Sequence, residues 1–179
     1  EIVAVPVQNL QINAGVAYLD GEYDDFENGP HFNPTGSPAA NTSCAIAPFS
    51  PAYPGGQTSV TAGCDLSGNE TIQTPKFTAS VGASYIVPTS MGQWGFAASL
   101  YHNDGYFFEP TNSVEQDAYD LVDASISWTS TDEKYGARLW GKNLLDEEYY
   151  SAANSAALGK HYSAAAPLTY GVTFSTHFR

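Results

Sequence analysis

Charge is what this sequence has least of. Only 14% of its 179 residues are charged, against roughly a quarter in a typical soluble domain. Basic residues are the scarcer kind: six Lys and Arg stand against 19 Asp and Glu, which gives a net charge of -13, and none precedes Lys76. A chain this acidic has no electrostatic basis for binding nucleic acid, so we expect no partner of that class.

Long apolar runs are missing as well. The chain has no run of about 18 consecutive apolar residues, which excludes a transmembrane helix. No segment has the basic start and apolar middle of a signal peptide, and the chain opens with Glu1 rather than Met. We therefore expect the sequence to begin inside a longer or processed polypeptide.

Cysteine is nearly absent. The chain has two, Cys44 and Cys64, within a stretch rich in Pro, Gly and Ser. Two free thiols are one interpretation. We favour a disulfide, because paired cysteines in a long polar loop are typical of an oxidising compartment. Their spacing does not fit a zinc motif, and no metal or cofactor site is expected anywhere in the chain.

Alternation with a period of two residues is what the sequence has in abundance. In KFTASVGASYIV, residues 76–87, every second residue from Phe77 is apolar and most of the others are small and polar. The same pattern recurs at residues 10–18, 94–101, 122–128, 135–142 and 170–178, and a stub at residues 2–5 resembles the end of a further strand. It predicts about six strands of about ten residues, the length that a tilted strand needs to cross a bilayer.

The connections between these strands are sorted by length. Residues 6–9, 88–93 and 130–134 form short turns rich in Pro, Gly, Ser and Asp, whereas residues 27–70, 108–118 and 147–166 form long links. Aromatic residues such as Tyr18, Trp94 and Trp128 lie where the apolar bands end, although strands favour aromatics in any case. Short turns on one side and long loops on the other are typical of an outer-membrane barrel. The apolar register would then face lipid and the polar register the lumen.

Several segments resemble those of TonB-dependent outer-membrane receptors. GKNLLDEEYY, residues 141–150, resembles their N-L-x-D-x-x-Y segment. PLTYGVTFSTHF, residues 167–178, resembles their final strand, with Leu168 where Arg is usual and with Arg179 after the terminal aromatic. LQINAGVAYLDGEYDDF, YHNDGYFF and YDLVDASISW resemble the preceding strands, so the resemblance covers nearly the whole chain outside residues 29–68.

This resemblance implies an all-β fold, a segment of an antiparallel transmembrane β-barrel of about 22 strands around a plugged lumen. It implies that residues 1–179 are the C-terminal part of that barrel, that residues 27–70 form a long extracellular loop and that the plug domain lies outside this chain. Whether Arg179 is the natural terminus stays open.

The resemblance also implies a function: energised uptake of a scarce nutrient across the outer membrane of a Gram-negative bacterium. A ferric siderophore is the leading candidate, while vitamin, nickel and oligosaccharide substrates fit the sequence equally well. The implied partners are outer-membrane lipid, the remaining barrel strands, TonB acting through the missing plug region, and a small ligand such as an iron chelate.

Two other classes of protein were weighed. A secreted β-sandwich that binds carbohydrate would explain loop aromatics and a disulfide, but not the strand length or the sorted loops. A passive porin would be favoured if no plug preceded the barrel. An enzyme is not expected, because hydrolytic signatures such as G-x-S-x-G are absent and the four histidines are scattered.

The candidate site residues fall into two groups. Asp123, Arg138 and Lys142 lie in the polar register and are predicted to face the lumen, where we favour barrel stabilisation or plug contact over ligand binding. The second group consists of aromatic residues for which a ligand vestibule and simple loop packing are equal alternatives: Tyr106, Phe107, Phe108, Tyr149 and Tyr150. The acidic run DGEYDDFEN, residues 20–28, is interpreted as a solvated strand end rather than a cation site.

Overall fold

The computed structural model describes residues 1–27, 29–34, 59–156 and 159–177. Within these ranges the chain forms β-strands and no helix, and accordingly no helix there is long and apolar enough to cross a membrane. The strands are β1 (Ile2–Val7), β2 (Leu10–Tyr18), β3 (Gly29–Pro34), β4 (Ser59–Cys64), β5 (Phe77–Thr89), β6 (Gly92–Asn103), β7 (Tyr106–Phe107), β8 (Glu115–Gln116), β9 (Tyr119–Thr129), β10 (Tyr135–Lys142), β11 (Tyr150–Ala156), β12 (Gly159–Ala164) and β13 (Thr169–Thr176). The all-β prediction is confirmed.

Seven of these strands form one antiparallel sheet in the order β1-β2-β5-β6-β9-β10-β13. Six of them are the predicted strands, and the stub at residues 2–5 belongs to the seventh, β1. Both outer strands have an unpaired edge within the described chain. Lipid offers no hydrogen-bond partners to the backbone groups at such edges. In a membrane this sheet therefore needs further strands to close it into a barrel.

The pairing register places the apolar residues on one face of the sheet, called here the apolar face. One row of partners crosses six strands: Leu10, Tyr85, Phe96, Ile126, Leu139 and Val172. Nothing in the described chain covers this face, and Phe174 is 81% exposed. A slip of one residue would turn all of these side chains over, so the register decides which face of the sheet is apolar.

The opposite face, called here the polar face, carries small and polar residues. Asn13, Gly82, Ser99 and Asp123 are successive partners across four strands. A Cβ atom at Gly82 would stand 2.7 Å from Asn13 Oδ1, so glycine leaves the room in which the Asn13 side chain lies. The predicted separation of an apolar and a polar register is thus realised in the sheet, although Ile86, Leu121 and Trp140 also lie on the polar face.

Short and long connections lie at opposite ends of the sheet, as predicted. Residues 8–9, 90–91 and 130–134 form the turns, while loop L1 (residues 19–76), loop L2 (residues 104–118) and loop L3 (residues 143–168) lie at the other end. Two turns are shorter than expected because β1 and β5 continue to Val7 and Thr89. Asn9 adopts a φ of 68° at the first turn, a conformation that Asn tolerates better than most residues.

Each long loop contains a two-stranded hairpin that the alternation did not predict: β3–β4 in L1, β7–β8 in L2 and β11–β12 in L3. The fully buried apolar side chains of the described residues, Cys64, Leu66 and Val114, also lie in these loops. Leu66 and Cys64 pack with Phe26. The sheet has no apolar core of its own, and the loops supply the packed parts of the structure.

Candidate functional site at the loop end of the polar face

Four tyrosines meet where the polar face joins the loops, and we call Tyr101, Tyr106, Tyr119 and Tyr149 the tyrosine cluster. The Tyr119 ring stacks on Tyr149 with centroids 4.7 Å apart and an interplanar angle of 16°, and it lies 6.2 Å from the Tyr101 ring. Burial, helped by the nearby phenols of Tyr101 and Tyr149, raises the pKa of Tyr106. The Tyr106 phenol therefore stays neutral at physiological pH and can donate a hydrogen bond.

A buried amide holds the cluster at the start of L2. Asn103 is 3% exposed. Its Nδ2 donates to the Tyr101 hydroxyl at 3.0 Å, and its Oδ1 accepts from the Gly105 N–H at 2.9 Å. Gly105 has a φ of 99°, and a Cβ there would stand 2.5 Å from Gln116 O. Glycine is therefore required at this position, and the turn fixes where L2 leaves the sheet.

L2 is joined to L1 through side-chain amides. Asn112 Oδ1 accepts from Glu70 N at 2.8 Å, and Asn112 Nδ2 donates to Glu70 O at 3.0 Å. Asn69 Nδ2 adds a bond to Pro110 O at 2.8 Å. These contacts bind the base of the longest loop to its neighbour.

L2 is joined to L3 on its other side. The Glu109 carboxylate accepts hydrogen bonds from the backbone N–H of Ser155 and from Ser155 Oγ, the latter at 2.8 Å. Gln116 Oε1 accepts from Tyr150 N at 2.8 Å. L2 therefore bridges the other two loops, and all three form one connected surface around the tyrosine cluster.

The N-L-x-D-x-x-Y segment closes the base of L3. Asn143 is 5% exposed; its Nδ2 donates to Glu147 O at 2.9 Å and to Ala166 O at 3.3 Å, and its Oδ1 accepts from Glu147 N at 2.9 Å. Asp146 Oδ1 accepts from Leu168 N at 3.0 Å. The segment thus ties the two ends of L3 together, and its tyrosine is the one that stacks in the tyrosine cluster.

The structure divides the aromatic residues that the sequence grouped. Tyr106 and Tyr149 belong to the tyrosine cluster, and Phe108 packs edge-on against Tyr106 with centroids 5.1 Å apart. Tyr150 pairs instead with Tyr162 on the β11–β12 hairpin at 4.7 Å. Phe107 makes no ring pair among the described residues. Its backbone O accepts from the Gln73 N–H at 2.8 Å.

Two members of the cluster, Tyr101 and Tyr119, were missed from the sequence. Both lie in the polar register at the loop ends of β6 and β9, and they are diagonal neighbours there because Tyr101 pairs with Leu121 and Asn103 with Tyr119. An aromatic residue in an otherwise small, polar register was the available signal. Whether the cluster contacts a ligand stays a prediction.

The three charged residues predicted for the lumen lie together on the polar face. Asp123, Arg138 and Lys142 line one open groove of about 620 Å³. Asp123 Oδ1 accepts from Asn143 N at 3.0 Å, and Arg138 donates to Ser125 Oγ at 3.1 Å. The ion pairs found in the described part of the chain do not join these three residues to one another.

The two remaining predicted features lie in L1. Cys64 is fully buried beside Leu66, whereas Cys44 lies outside the described residues, so their pairing stays a prediction. The acidic run is exposed at Asp20, Glu22, Asp24, Asp25 and Glu27. Among the described residues no group of three or more His, Cys, Asp or Glu side chains is arranged to hold a metal ion.

Comparison with known proteins defines the class. Residues 5–144 match the family model of the TonB dependent receptor-like β-barrel, and this chain belongs to that family. The chain therefore lies in the outer membrane of a Gram-negative bacterium.

Three solved structures share the fold. The ferric yersiniabactin uptake receptor FyuA from Yersinia pestis is 18% identical with a TM-score of 0.60, over 64% of this chain and 18% of that one. BauA, the ferric preacinetobactin receptor from Acinetobacter baumannii, is 15% identical with a TM-score of 0.59, over 97% of this chain and 20% of that one. The siderophore receptor PiuA from Acinetobacter baumannii is 16% identical with a TM-score of 0.62, over 96% of this chain and 20% of that one. This chain spans about a fifth of the length of each.

Proposed function

We propose that this chain is the C-terminal part of the barrel of a TonB-dependent receptor that imports a ferric siderophore. In the whole receptor, the free edges of β1 and β13 pair with the remaining strands of a barrel of about 22 strands. A plug fills the lumen and receives energy through TonB. The family match and the unpaired sheet edges support this placement.

The tyrosine cluster is the observation that carries the ligand class. It places four phenol rings where the polar face joins the loops, at the outer end, where a ligand arriving from outside first meets the barrel wall. Phenol rings stack on planar groups and donate hydrogen bonds to anionic oxygen. A ferric chelate with such oxygens suits this chemistry. The three solved structures named above, two described as receptors for a ferric ligand and one as a siderophore receptor, agree with it.

The bridged loops support the same proposal. Because L2 is hydrogen-bonded to both L1 and L3, the described loop segments around the rings are held against one another, which lowers the ordering cost of binding. A secreted β-sandwich does not account for this architecture, since no second large sheet covers the apolar face among the described residues.

Uptake of iron-55 by cells that express the whole receptor tests the proposal. Tyr106→Phe removes only a hydroxyl, and we expect it to weaken ferric-siderophore binding about tenfold, the usual effect of one lost hydrogen bond to a charged group. Tyr149→Ala should weaken binding further by removing the ring that stacks on Tyr119. Tyr85→Phe, on the apolar face, is the control and should leave binding unchanged.

Deletion of TonB should abolish uptake and leave binding at the cell surface intact. Uptake that persists without TonB would indicate a passive porin and contradict the proposal. Binding of cobalamin, nickel or an oligosaccharide with no binding of any ferric chelate would contradict the ligand class alone.

A further inference from the structure

Trp140 lies on the polar face of β10, in the same register as Arg138 and Lys142. Its neighbours across the two adjacent strands are Ser125 and Gly171. A Cβ at Gly171 would stand 2.6 Å from Trp140 Cζ2, so the indole lies directly over that glycine. Its Nε1 donates to Thr173 Oγ1 at 3.2 Å. The ring is therefore fixed by a hydrogen bond at its edge and by close backbone beneath it.

The other side of the indole borders the open groove of about 620 Å³. Asn13, Gly82 and Ser99, on β2, β5 and β6, line the same groove further along the sheet. This volume lies in the range of small-molecule sites, roughly 300 to 1,000 Å³. Trp140 is the aromatic residue of its lining, which otherwise combines small side chains with a few polar and charged ones, so a planar group has room to lie against the indole.

Charge distinguishes this part of the wall from the rest of the chain. Within the seven strands of the sheet, the charged side chains on the polar face are Asp123, Arg138 and Lys142. Asp123 is engaged by the Asn143 N–H, and the two cations stand on β10 two residues before and two residues after Trp140. A protein of net charge -13 thus places two of its six basic residues on either side of one inward-facing indole.

We propose that Arg138, Trp140 and Lys142 form a binding site on the inner wall for an aromatic anion, a planar ring that carries a carboxylate or phenolate group. The indole contacts the ring face, and the guanidinium and ammonium groups neutralise the charge at its edge. This inference rests on the proposed function only in that such a ring is part of the imported chelate. The site lies further inward than the tyrosine cluster and is distinct from it.

Fluorine NMR of the whole receptor in detergent, labelled with 5-fluorotryptophan, tests the site. Trp94 and Trp128 lie on the apolar face and serve as internal references, and each resonance is assigned by a Trp→Phe variant. We expect 2,3-dihydroxybenzoate to shift the Trp140 resonance saturably and to leave those of Trp94 and Trp128 in place. Cyclohexanecarboxylate, an anion without an aromatic ring, and benzyl alcohol, an uncharged aromatic, should each bind at least about tenfold more weakly, since each lacks one of the two interactions.

Charge-removing variants provide the second arm. Arg138→Gln and Lys142→Gln should each weaken dihydroxybenzoate binding about tenfold, the loss of one charge-assisted hydrogen bond. Lys134→Gln, in the turn at the far end of β10, is the matched control and should bind as the parent does. Unchanged reference resonances would show that the wall is intact in each variant.

A Trp140 resonance that does not move would overturn the proposal. This holds also where the reason is that another part of the receptor covers Trp140. Equal responses to all three probes, or full binding by both glutamine variants, would overturn it too. Iron-55 uptake with a silent Trp140 would defeat this inference alone. A saturable Trp140 shift in a receptor that takes up no ferric chelate would defeat the proposed function and leave the site standing.

Discussion

The Asn112 side chain in L2 hydrogen-bonds to both backbone polar groups of Glu70 in L1: its Oδ1 lies 2.8 Å from Glu70 N and its Nδ2 lies 3.0 Å from Glu70 O. The side-chain amide has one donor and one acceptor placed like those of a peptide group. It therefore bonds Glu70 as the backbone of a neighbouring strand would. Asn112 has a φ of 51°, which Asn adopts more readily than most residues. One residue thereby joins two loops through a contact between positions 42 apart in sequence.

Asn112→Ala should loosen L1. It removes the two hydrogen bonds to Glu70 at a partly buried site and leaves the Glu70 backbone groups unpaired, which costs about 1–3 kcal/mol of local stability. Hydrogen exchange of the amides in residues 66–73 should accelerate about tenfold or more. Asn154→Ala is the control, since that exposed side chain makes one intra-hairpin bond. Unchanged exchange in residues 66–73 would contradict the bridge.

Asn143→Asp should open the base of L3. The carboxylate can still accept from Glu147 N, but it cannot donate to Glu147 O or Ala166 O. Since Asn143 is buried, we expect a loss of about 1–3 kcal/mol, seen as faster hydrogen exchange and earlier proteolytic cleavage within residues 143–168. Equal protection in the variant and the parent would show that the amide does not hold the loop.

Arginine substitutions at neighbouring positions of β5 should separate the two faces. Val81→Arg places a charge on the apolar face near the middle of the strand and should destabilise the inserted barrel by about 2–4 kcal/mol. Ser80→Arg, one residue away on the polar face, should cost much less. Urea unfolding in lipid vesicles measures both. Similar losses for the two variants would contradict the assignment of faces.

Acid should weaken the turn at residues 130–134. The hydrogen bond from Ser130 Oγ, 2.7 Å from Asp132 Oδ1, and the bond from Lys134 N lower the pKa of Asp132 below its usual 3.8. A lowered folded-state pKa stabilises the turn above the unfolded-state value, and this contribution is lost as pH falls through the folded value. NMR titration of the Lys134 amide from pH 6 to pH 2 should show the transition. Asp132→Asn should remove it, and a transition that survives in this variant would belong to another group.

The Cys44–Cys64 disulfide is tested by peptide mapping. Without reductant, the peptides that contain the two cysteines should elute as one linked species, and with reductant they should separate. Loss of the link by Cys64→Ser should destabilise L1 by about 2–4 kcal/mol, since about 20 residues would no longer be closed into a loop. Alkylation of both thiols in the folded, unreduced receptor would refute the pairing.

Alternation was sufficient to predict the sheet. At Phe77, Val81 and Tyr85 the two-residue period is local in sequence, and the facing of each side chain follows from it without knowledge of the partner strand. The strand ends were less well predicted, since Pro6 and Pro88 signalled turns but lie within β1 and β5. Pro6 lies where the register of β1 against β2 is irregular, between Ala4 and Val7, and a proline is tolerated at such an irregularity.

The site was predicted only in part, because its contacts join residues far apart in sequence. Tyr119 and Tyr149 stack although 30 positions separate them, and nothing local to either residue indicates the other. The hairpins within the loops were missed for a related reason: β11 and β12 have a polar composition with little alternation. The N-L-x-D-x-x-Y resemblance marked Asn143 and Asp146 without giving their role, which depends on backbone atoms of Glu147, Ala166 and Leu168.

The amides of Asn112, Gln116 and Asn143 all bind main-chain atoms of their loop partners. Every amino acid carries those atoms, so the residues at positions 70, 147 and 150 are free to change type while the framework persists. A lineage of such receptors can therefore drift toward a different cargo by exchanging exposed loop side chains one at a time, without passing through an unstable intermediate.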